Sequence, residues 1–223
     1  MENVYSNGNI DHSKSSNSRK RSPRQVPYFE LYCDLATRFN FTTALICQIN
    51  NCTARKLHPN SFSWELAQQF NYADPYQHRT SGPYPNLAAP ACRPEPGSIE
   101  VLHPPTGTKG PSFACLYAQY KMGDWDSSYY LNARNADPHY KYMALRKDTY
   151  NHRLQYFKRS LSNLLYEIRS NPEKYSVIIF PKYIGCGLAK GNWEDYEKLI
   201  IEFCNDLKYT RPHTTVCVVN KNL

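Results

Sequence analysis

Short apolar segments rich in β-branched and aromatic residues alternate along this chain with segments whose apolar residues recur every three or four positions. The first kind of segment predicts buried strands, and the second kind predicts amphipathic helices. The predicted strands are 27–33 (PYFELYC), 43–49 (TALICQI), 98–102 (SIEVL), 113–119 (FACLYAQ), 176–180 (SVIIF) and 214–219 (TTVCVV). The predicted helices are 63–70, 149–169 and 193–207. This alternation predicts an α/β fold built on a layered, partly parallel sheet.

Two long stretches without a clear period interrupt the alternation. Residues 71–97 are rich in proline and tyrosine, and residues 120–148 contain Trp125 and several tyrosines. Loops of this length within a compact domain are usually functional or disordered. Their aromatic content argues against disorder, so we predict that both stretches pack against the domain as flaps.

The chain has 223 residues, which suffice for one sizeable domain with a tail. Its net charge of +8 favours an anionic partner. Residues 1–25 are polar and rich in serine and asparagine, which predicts a disordered basic tail ahead of a domain at 26–223. The run RKRSPR at 19–24 leaves two interpretations open: a patch for nuclear import or nucleic acid, and a solvated tail.

The apolar runs all fall well short of the roughly 18 residues that a membrane-spanning helix needs, and the amino terminus lacks the apolar core of a signal peptide. We therefore expect an intracellular protein, cytoplasmic or nuclear, without a membrane partner. In such a compartment the 8 cysteines are expected to be buried thiols rather than disulfides. The sequence contains no C-x-x-C pair, so neither a metal nor a cofactor is expected.

The predicted strand at 176–180 leads through a glycine-cysteine-glycine turn into the predicted helix at 193–207. This order can hold a phosphate, because glycines let the backbone approach the anion and the first N–H groups of a helix point at it. Asn192 is suited to cap that helix. A tight turn that needs positive φ is the alternative interpretation. The motifs of a P-loop and of a dinucleotide-binding loop are both absent.

Two stretches resemble macro domains. FPKYIGCGLAKGNWEDYEKLIIEF (180–203) resembles their second phosphate loop and following helix. It looks closest to the terminal-ADP-ribose glycohydrolase branch and to related viral and fungal proteins that process ADP-ribose 1''-phosphate. ELYCDLATRFNFTTALICQINNC (30–52) is similar to the opening of the same fold. The resemblance brackets residues 27–220 and implies a three-layer α/β/α macro domain with a mixed central sheet.

The resemblance also implies a ligand site. Asp34, with Leu35 beside it, takes the position of the acid that contacts the adenine amino group. Asn51 takes the position of a side chain at the distal ribose, and Lys121 lies within about one residue of the catalytic lysine of the branch, so these two are the catalytic candidates. Asp34 as an ordinary turn acid and Asn51 as a capping residue are the alternatives. The backbone loop that wraps the diphosphate and distal ribose is formed by Gly185, Cys186, Gly187 and Leu188.

The chain departs from the macro domain pattern in two places. Residues 52–64 contain no glycine where most macro domains have a glycine-rich first loop, so we expect Arg55, Lys56 and His58 to compensate electrostatically. Ala189 stands where the glycohydrolase branch places an aspartate after I-G-C-G-L. A lysine nucleophile without that acid would be impaired, because scission at the anomeric carbon needs proton transfer. Asp124 and Asp126 are either substitutes or solvated loop acids.

Three functions remain open. The first is an enzyme that hydrolyses at the distal ribose of ADP-ribose, releasing ADP-ribose from a modified protein or phosphate from ADP-ribose 1''-phosphate, with water oriented by Asn51 and the glycine loop. The second is a non-catalytic ADP-ribose reader, which Ala189 favours. The third is a nucleic-acid-binding protein that uses the basic tail, although the chain has no RNA-recognition or zinc-finger signature. The expected partner is ADP-ribose or an ADP-ribosylated protein, bound by a monomer.

Overall fold

The computed structural model of the chain describes residues 28–32, 42–82, 86–124, 148–211 and 213–220. The elements of this part are β1 (Tyr28–Tyr32), β2 (Ala44–Asn51), α1 (Phe62–Gln69), β3 (Ile99–Leu102), β4 (Ser112–Gln119), α2 (Tyr150–Ser170), β5 (Val177–Pro181), α3 (Trp193–Lys208) and β6 (Thr215–Asn220). Each strand and helix predicted from the sequence is confirmed, with ends that differ by one or two residues. The tail at 1–25 lies outside the described residues, so its disorder stays a prediction.

The strands form one mixed sheet in the order β1-β6-β5-β2-β4-β3. All neighbouring strands in it are parallel except β3 and β4, which are antiparallel. The predicted α/β class with a mixed central sheet is therefore confirmed. Because β5, β2 and β4 are parallel neighbours, the loops that leave them all emerge at the same edge of the sheet.

Helices cover both faces of the sheet, because successive side chains of each strand point to opposite sides. On one face, Ile46 of β2 packs in a buried cluster with Leu66 of α1. On the other face, Leu45 packs with Phe157 of α2 and Phe203 of α3. The apolar stripes predicted for the two long helices are thus core faces, and the three layers are α1, the sheet, and α2 with α3.

Side-chain caps fix where each helix begins. Ser61 Oγ accepts a hydrogen bond from the N–H of Trp64 at 3.1 Å at the start of α1. Thr149 Oγ1 accepts from the N–H of His152 at 3.5 Å at the start of α2. Asn192 Oδ1 accepts from the N–H of Glu194 at 3.2 Å, which confirms Asn192 as the N-cap of α3. Asn192 therefore fixes the end of the β5–α3 loop at which α3 begins.

The irregular segment 71–97 packs against the domain where it is described. Leu87 and Ala88 are fully buried, and they form isolated antiparallel bridges with Ala54 and Ser81. The predicted flap is confirmed for this segment. In the other predicted flap, residues 125–147 lie outside the described residues.

The cysteines in the described part of the chain are free thiols. Most of them lie in the core, as predicted, whereas Cys92 and Cys186 are half-buried; the buried ones are Cys47, Cys52, Cys115, Cys204 and Cys217. Among the described residues, no helix combines the length and the apolar character needed to cross a membrane.

Candidate functional site

Three of the segments proposed for the site leave adjacent strands at the same edge of the sheet. The loop 182–192 follows β5, Asn51 ends β2, and Lys121 follows β4. In the sheet β2 lies between β5 and β4, and Asn51 pairs with Gln119 of β4. The structure therefore brings Asn51, Lys121 and the glycine loop to one edge, where open α/β sheets bind their ligands.

The glycine loop is a closed turn that rests on the core. The N–H of Cys186 donates to Tyr183 O at 2.8 Å, and the N–H of Gly191 donates to Gly185 O at 3.0 Å. Gly185 has a φ of +77°, and a Cβ at this position would lie 2.7 Å from the Tyr196 ring and 3.1 Å from the Ile49 side chain. Only glycine permits this approach, so Gly185 lets the loop pack against β2 and α3.

Gly187 and Leu188 form the outward part of the loop. Gly187 is exposed, and a Cβ built there would meet no heavy atom of the described residues within 4 Å. Leu188 is 53% exposed although its side chain is apolar. Within the described part of the chain, the N–H groups of Gly187 and Leu188 donate no hydrogen bond. They can therefore donate to an anionic ligand that approaches this edge.

The Cys186 side chain is not suited to act as a nucleophile. Its Sγ lies 3.5 Å from Ile184 O, and partial burial raises the pKa of the thiol to about 11. A thiol with this pKa is neutral near pH 7, whereas nucleophilic cysteines are thiolates. Cys186 therefore belongs to the base of the loop, and the backbone of its neighbours supplies the polar groups.

A tyrosine and an acid connect the first turns of the two long helices. The hydroxyl of Tyr150 in α2 donates to Asp195 in α3. Burial, followed by this hydrogen bond, raises the pKa of Tyr150 to about 12. The hydroxyl therefore stays protonated and keeps its donor role at neutral pH. Asp195 lies in the first turn of α3, where a carboxylate is stabilised by the helix dipole.

The side-chain amide oxygen of Asn51 is occupied by hydrogen bonds within the protein. Oδ1 accepts from the N–H of Thr53 at 3.1 Å and from the N–H of Ala54 at 2.6 Å. Both lone pairs are thus occupied, which fixes the orientation of the amide. The structure accordingly gives Asn51 the capping contacts that were the alternative interpretation. Its Nδ2 group has no hydrogen bond among the described residues, so Asn51 can still donate to a ligand but cannot accept from one.

The glycine-free loop after β2 is held from behind by Tyr76 and Arg79. The N–H of Asn51 donates to the Tyr76 hydroxyl at 2.9 Å. The Nη1 group of Arg79 donates to Asn51 O at 3.3 Å, Cys52 O at 3.1 Å and Ala54 O at 2.6 Å. The Arg79 guanidinium also stacks 4.1 Å from the centre of the Tyr76 ring. These contacts explain how the loop keeps a fixed shape without glycine, and neither residue stood out in the sequence.

The loop after β4 is held by a buried ion pair that sequence reasoning also missed. Asp148 accepts from the N–H groups of Tyr120 at 2.9 Å and Lys121 at 3.0 Å. Arg153 lies 2.8 Å from Asp148 and donates to Gly123 O at 2.7 Å and Ala189 O at 3.5 Å. One guanidinium thus connects the Lys121 loop to the glycine loop. The only sequence signal was an arginine within the apolar stripe of α2.

The structure locates the residues at which the chain departs from the macro domain pattern. Ala189 is 6% exposed, so the position of the missing aspartate is buried against Arg153. Arg55 and Lys56 line a cavity of about 450 Å³ that includes no residue of 182–192. Their expected role at a diphosphate stays a prediction, as does that of His58, which is exposed and contacts Pro59.

Some of the candidate site residues lie outside the described part of the chain. Asp34, Leu35 and Asp126 lie outside the described residues, so their roles stay predictions. Asp124 is described and half-buried just after β4.

Comparisons with known proteins show the fold. No protein-family profile and no curated protein sequence matches the chain. Among solved structures, the chain is similar to the macrodomain of Mycobacterium tuberculosis DarG, with a TM-score of 0.53 and 14% identity over 88% of this chain and 99% of that one. The protein therefore has the macrodomain fold that the two sequence matches implied.

Two mutant forms of the Oceanobacillus iheyensis macrodomain, the second of them with ADPR, have lower scores. Their TM-scores are 0.46 and 0.45, each at 11% identity. The first comparison covers 90% of this chain and the second 89%, and each covers 87% of the other chain.

Proposed function

We propose that the protein binds ADP-ribose along the edge formed by the carboxyl ends of β5, β2 and β4. In this proposal the backbone from Gly185 to Leu188 holds the diphosphate and the distal ribose. Asn51 contacts the distal ribose, and Asp34 with Leu35 receives the adenine. The observation that carries the proposal is the pair of N–H groups of Gly187 and Leu188, which have no acceptor among the described residues.

The chemistry of the loop suits a diphosphate. Backbone N–H groups that converge at a turn before a helix attract anions, and the dipole of α3 adds to this attraction. The exposed face of Gly187 carries no side chain, so phosphate oxygens can approach the backbone closely. The net charge of +8 further favours an anionic ligand.

For catalysis, we propose hydrolysis at the distal ribose by water. Because both lone pairs of Asn51 Oδ1 are occupied by backbone N–H groups, Asn51 acts through Nδ2, which donates to a ribose hydroxyl or to the oxygen of the attacking water. Water forms a bond to C1'' of the distal ribose as the bond from C1'' to the leaving group breaks. A phosphate oxygen of the substrate accepts the proton of that water and passes it to the leaving group. Lys121 at the end of β4 is the second catalytic candidate. Holding water and ribose in a fixed geometry lowers a hydrolytic barrier by several kcal/mol.

A reader without turnover is the second candidate function. Ala189 favours it, because the position where the glycohydrolase branch carries an acid is a buried methyl group. Binding is common to both functions, so turnover alone distinguishes them.

Calorimetry with ADP-ribose tests the binding proposal. We expect a dissociation constant in the micromolar range, on the order of 8 kcal/mol of binding free energy. Asp34→Ala should weaken binding by about 1.5–3 kcal/mol and reduce discrimination against ligands that lack adenine. No heat of binding from ADP-ribose with the folded protein would overturn the proposal.

Turnover is tested separately with ADP-ribose 1''-phosphate and with an ADP-ribosylated protein. Release of phosphate or of ADP-ribose supports the enzyme. Binding without any product from either substrate would leave the reader as the function.

A further inference from the structure

A cavity lies beside the loop that follows β2. It is an open cavity of about 450 Å³, lined by residues of α1, by residues just after β2 and by residues 74–79. Its chemistry-bearing side chains are Arg55, Lys56, Trp64, Gln68, Asp74 and Arg79. Since no residue of 182–192 lines it, this cavity is separate from the outward N–H groups of Gly187 and Leu188.

The cavity is positively charged. Arg55, Lys56 and Arg79 face a single lining carboxylate, that of Asp74. Within the described residues, neither Arg55 nor Lys56 forms an ion pair. Asp74 accepts from the N–H of Tyr76 at 2.8 Å, and the acceptors of Arg79 are neutral backbone carbonyls. The positive charge is therefore left for a ligand to neutralise.

The same cavity offers an aromatic surface and amide groups. Trp64 is half-buried and lines the cavity, and Gln68, one turn further along α1, is exposed and lines it too. An indole ring stacks on planar bases of any sequence, and an amide can pair with their polar edges. A volume of about 450 Å³ lies within the usual range for small-molecule sites.

We propose that this cavity binds a nucleotide, with its phosphate on Arg55 and Lys56 and its base stacked on Trp64. The ligand is either a free nucleotide or one unit of a single strand of nucleic acid, because both present a phosphate next to a planar base. This site is additional to the proposed ADP-ribose site, and here Arg55 and Lys56 bind the phosphate of the nucleotide instead of the diphosphate of ADP-ribose. Arg79 connects the two sites physically, since it lines the cavity and also holds the carbonyl of Asn51.

Calorimetry with UMP tests the proposal, with intrinsic tryptophan fluorescence as a second readout, and any quenching by UMP should be lost in Trp64→Leu. UMP is chosen because its pyrimidine is a poor substitute for adenine at the ADP-ribose site. The measurement is repeated on Gly187→Val protein, in which the glycine loop is obstructed, so the result does not depend on whether ADP-ribose binds. We expect UMP to bind wild type and Gly187→Val equally and to quench the tryptophan fluorescence.

Two variants assign the contacts, and a third serves as their control. The double variant Arg55→Ala, Lys56→Ala should weaken UMP binding at least about tenfold through loss of charged hydrogen bonds. Trp64→Leu keeps an apolar side chain but loses the stacking plane, and it should also weaken binding about tenfold. The matched control is Lys109→Ala, Lys198→Ala, which removes the same charge from exposed positions outside the cavity and should change binding less than twofold.

The possible results either overturn the proposal or identify the source of the nucleotide. Absence of UMP binding up to millimolar concentration would overturn the proposal. So would binding that Gly187→Val abolishes, or that the cavity variants and the control double variant weaken equally. If the cavity binds as expected, an oligouridylate that binds more tightly than UMP, with the same dependence on Arg55 and Lys56, identifies a nucleic-acid strand as the source. Equal or weaker binding of the oligouridylate identifies a free nucleotide.

Discussion

Arg153 Nη2 lies 2.8 Å from Asp148 Oδ2, and both side chains are only 1% exposed. Around this ion pair the domain joins three separate chain segments. Asp148 receives the backbone N–H groups that follow β4, and Arg153 reaches Gly123 O on one side and Ala189 O on the other. The pair thus sets the spacing between the loop that carries Lys121 and the glycine loop.

Removing one partner of this pair should be costly. Arg153→Met keeps most of the side-chain volume but leaves the Asp148 charge buried without its cation, so we expect a loss of about 3–5 kcal/mol in the free energy of unfolding. Urea denaturation measures this loss. The control on the same helix is Lys158→Met, which breaks the Lys158–Glu202 pair, whose side chains are 65% and 45% exposed. That variant should lose less than about 1 kcal/mol. Equal losses for the two variants would contradict the prediction.

The two glycines of the loop should respond in opposite ways to substitution. Gly187→Val adds a side chain on the open side of the loop, so the melting temperature should stay nearly unchanged while ADP-ribose binding weakens. Gly185→Ala places a Cβ 2.7 Å from the Tyr196 ring at a φ of +77°, so it should destabilise the fold itself. Thermal denaturation and calorimetry on both proteins check this contrast. Unchanged ADP-ribose affinity in Gly187→Val would remove that face of the loop from the site.

Asn51 has an internal role and a proposed external one, and two substitutions separate them. Asn51→Asp keeps an oxygen that accepts from Thr53 and Ala54 but loses the Nδ2 donor, so stability should hold while ADP-ribose affinity and any turnover fall. Asn51→Ala also leaves two N–H groups without their acceptor, and should cost about 1–3 kcal/mol of stability as well. Calorimetry, the product assay and urea denaturation give the three readouts. Wild-type affinity in a stable Asn51→Asp protein would confine Asn51 to its capping role.

Substitution of Ala189 tests whether the paired lysine and acid of the glycohydrolase branch can be restored in this chain. Ala189→Asp supplies an acid at the buried position where the glycohydrolase branch has one, so release of ADP-ribose from a modified protein should increase. Ala189→Asn has the same shape without the charge and should show no increase. Adding Lys121→Ala to Ala189→Asp should remove the gain. A gain that persists without Lys121 would argue against this lysine as the partner of the acid.

His103 lies at the amino ends of β4 and β5, and it should make the free energy of unfolding depend on pH. Its Nδ1 pairs with Ser112 Oγ at 3.0 Å, and Lys174 Nζ lies 3.0 Å from its Nε2. Burial, and then the charge of Lys174, lowers the pKa of His103 below the ordinary value of 6.5. The unfolded chain therefore binds this proton more readily, so the stabilisation is complete above about pH 6.5 and decreases as the pH falls below it.

His103→Gln tests this dependence. Urea denaturation at about pH 7.5 and about pH 5.5 should show a smaller decrease for this variant than for wild type. His213→Gln, at an exposed position, serves as the control and should retain the wild-type decrease. If His103→Gln shows the full wild-type decrease, another group is responsible for it.

The sequence by itself determined the elements and their order. Short apolar runs predicted β2, β4 and β5, because a strand that is buried on both faces needs a continuous run. The recurrence of apolar residues every three or four positions predicted the long helices, because each buries one face. It also predicted a tight glycine turn between β5 and α3, whereas the positive φ of Gly185 and its contact with the Tyr196 ring come from the structure. Local chemistry was sufficient for the Asn192 cap as well.

Only the tertiary structure decided what holds the edge of the sheet together. Asp148 and Arg153 are polar residues that a sequence reading assigns to a loop and to a helix face, yet folding buries them between Tyr120 and Ala189. Arg79 contacts carbonyls 25 to 28 positions earlier in the chain. Such contacts depend on which segments the sheet order brings together, and no local period encodes that order. For the same physical reason, the cavity beside Arg55 and Lys56 became visible only once α1 and residues 74–79 were folded against each other.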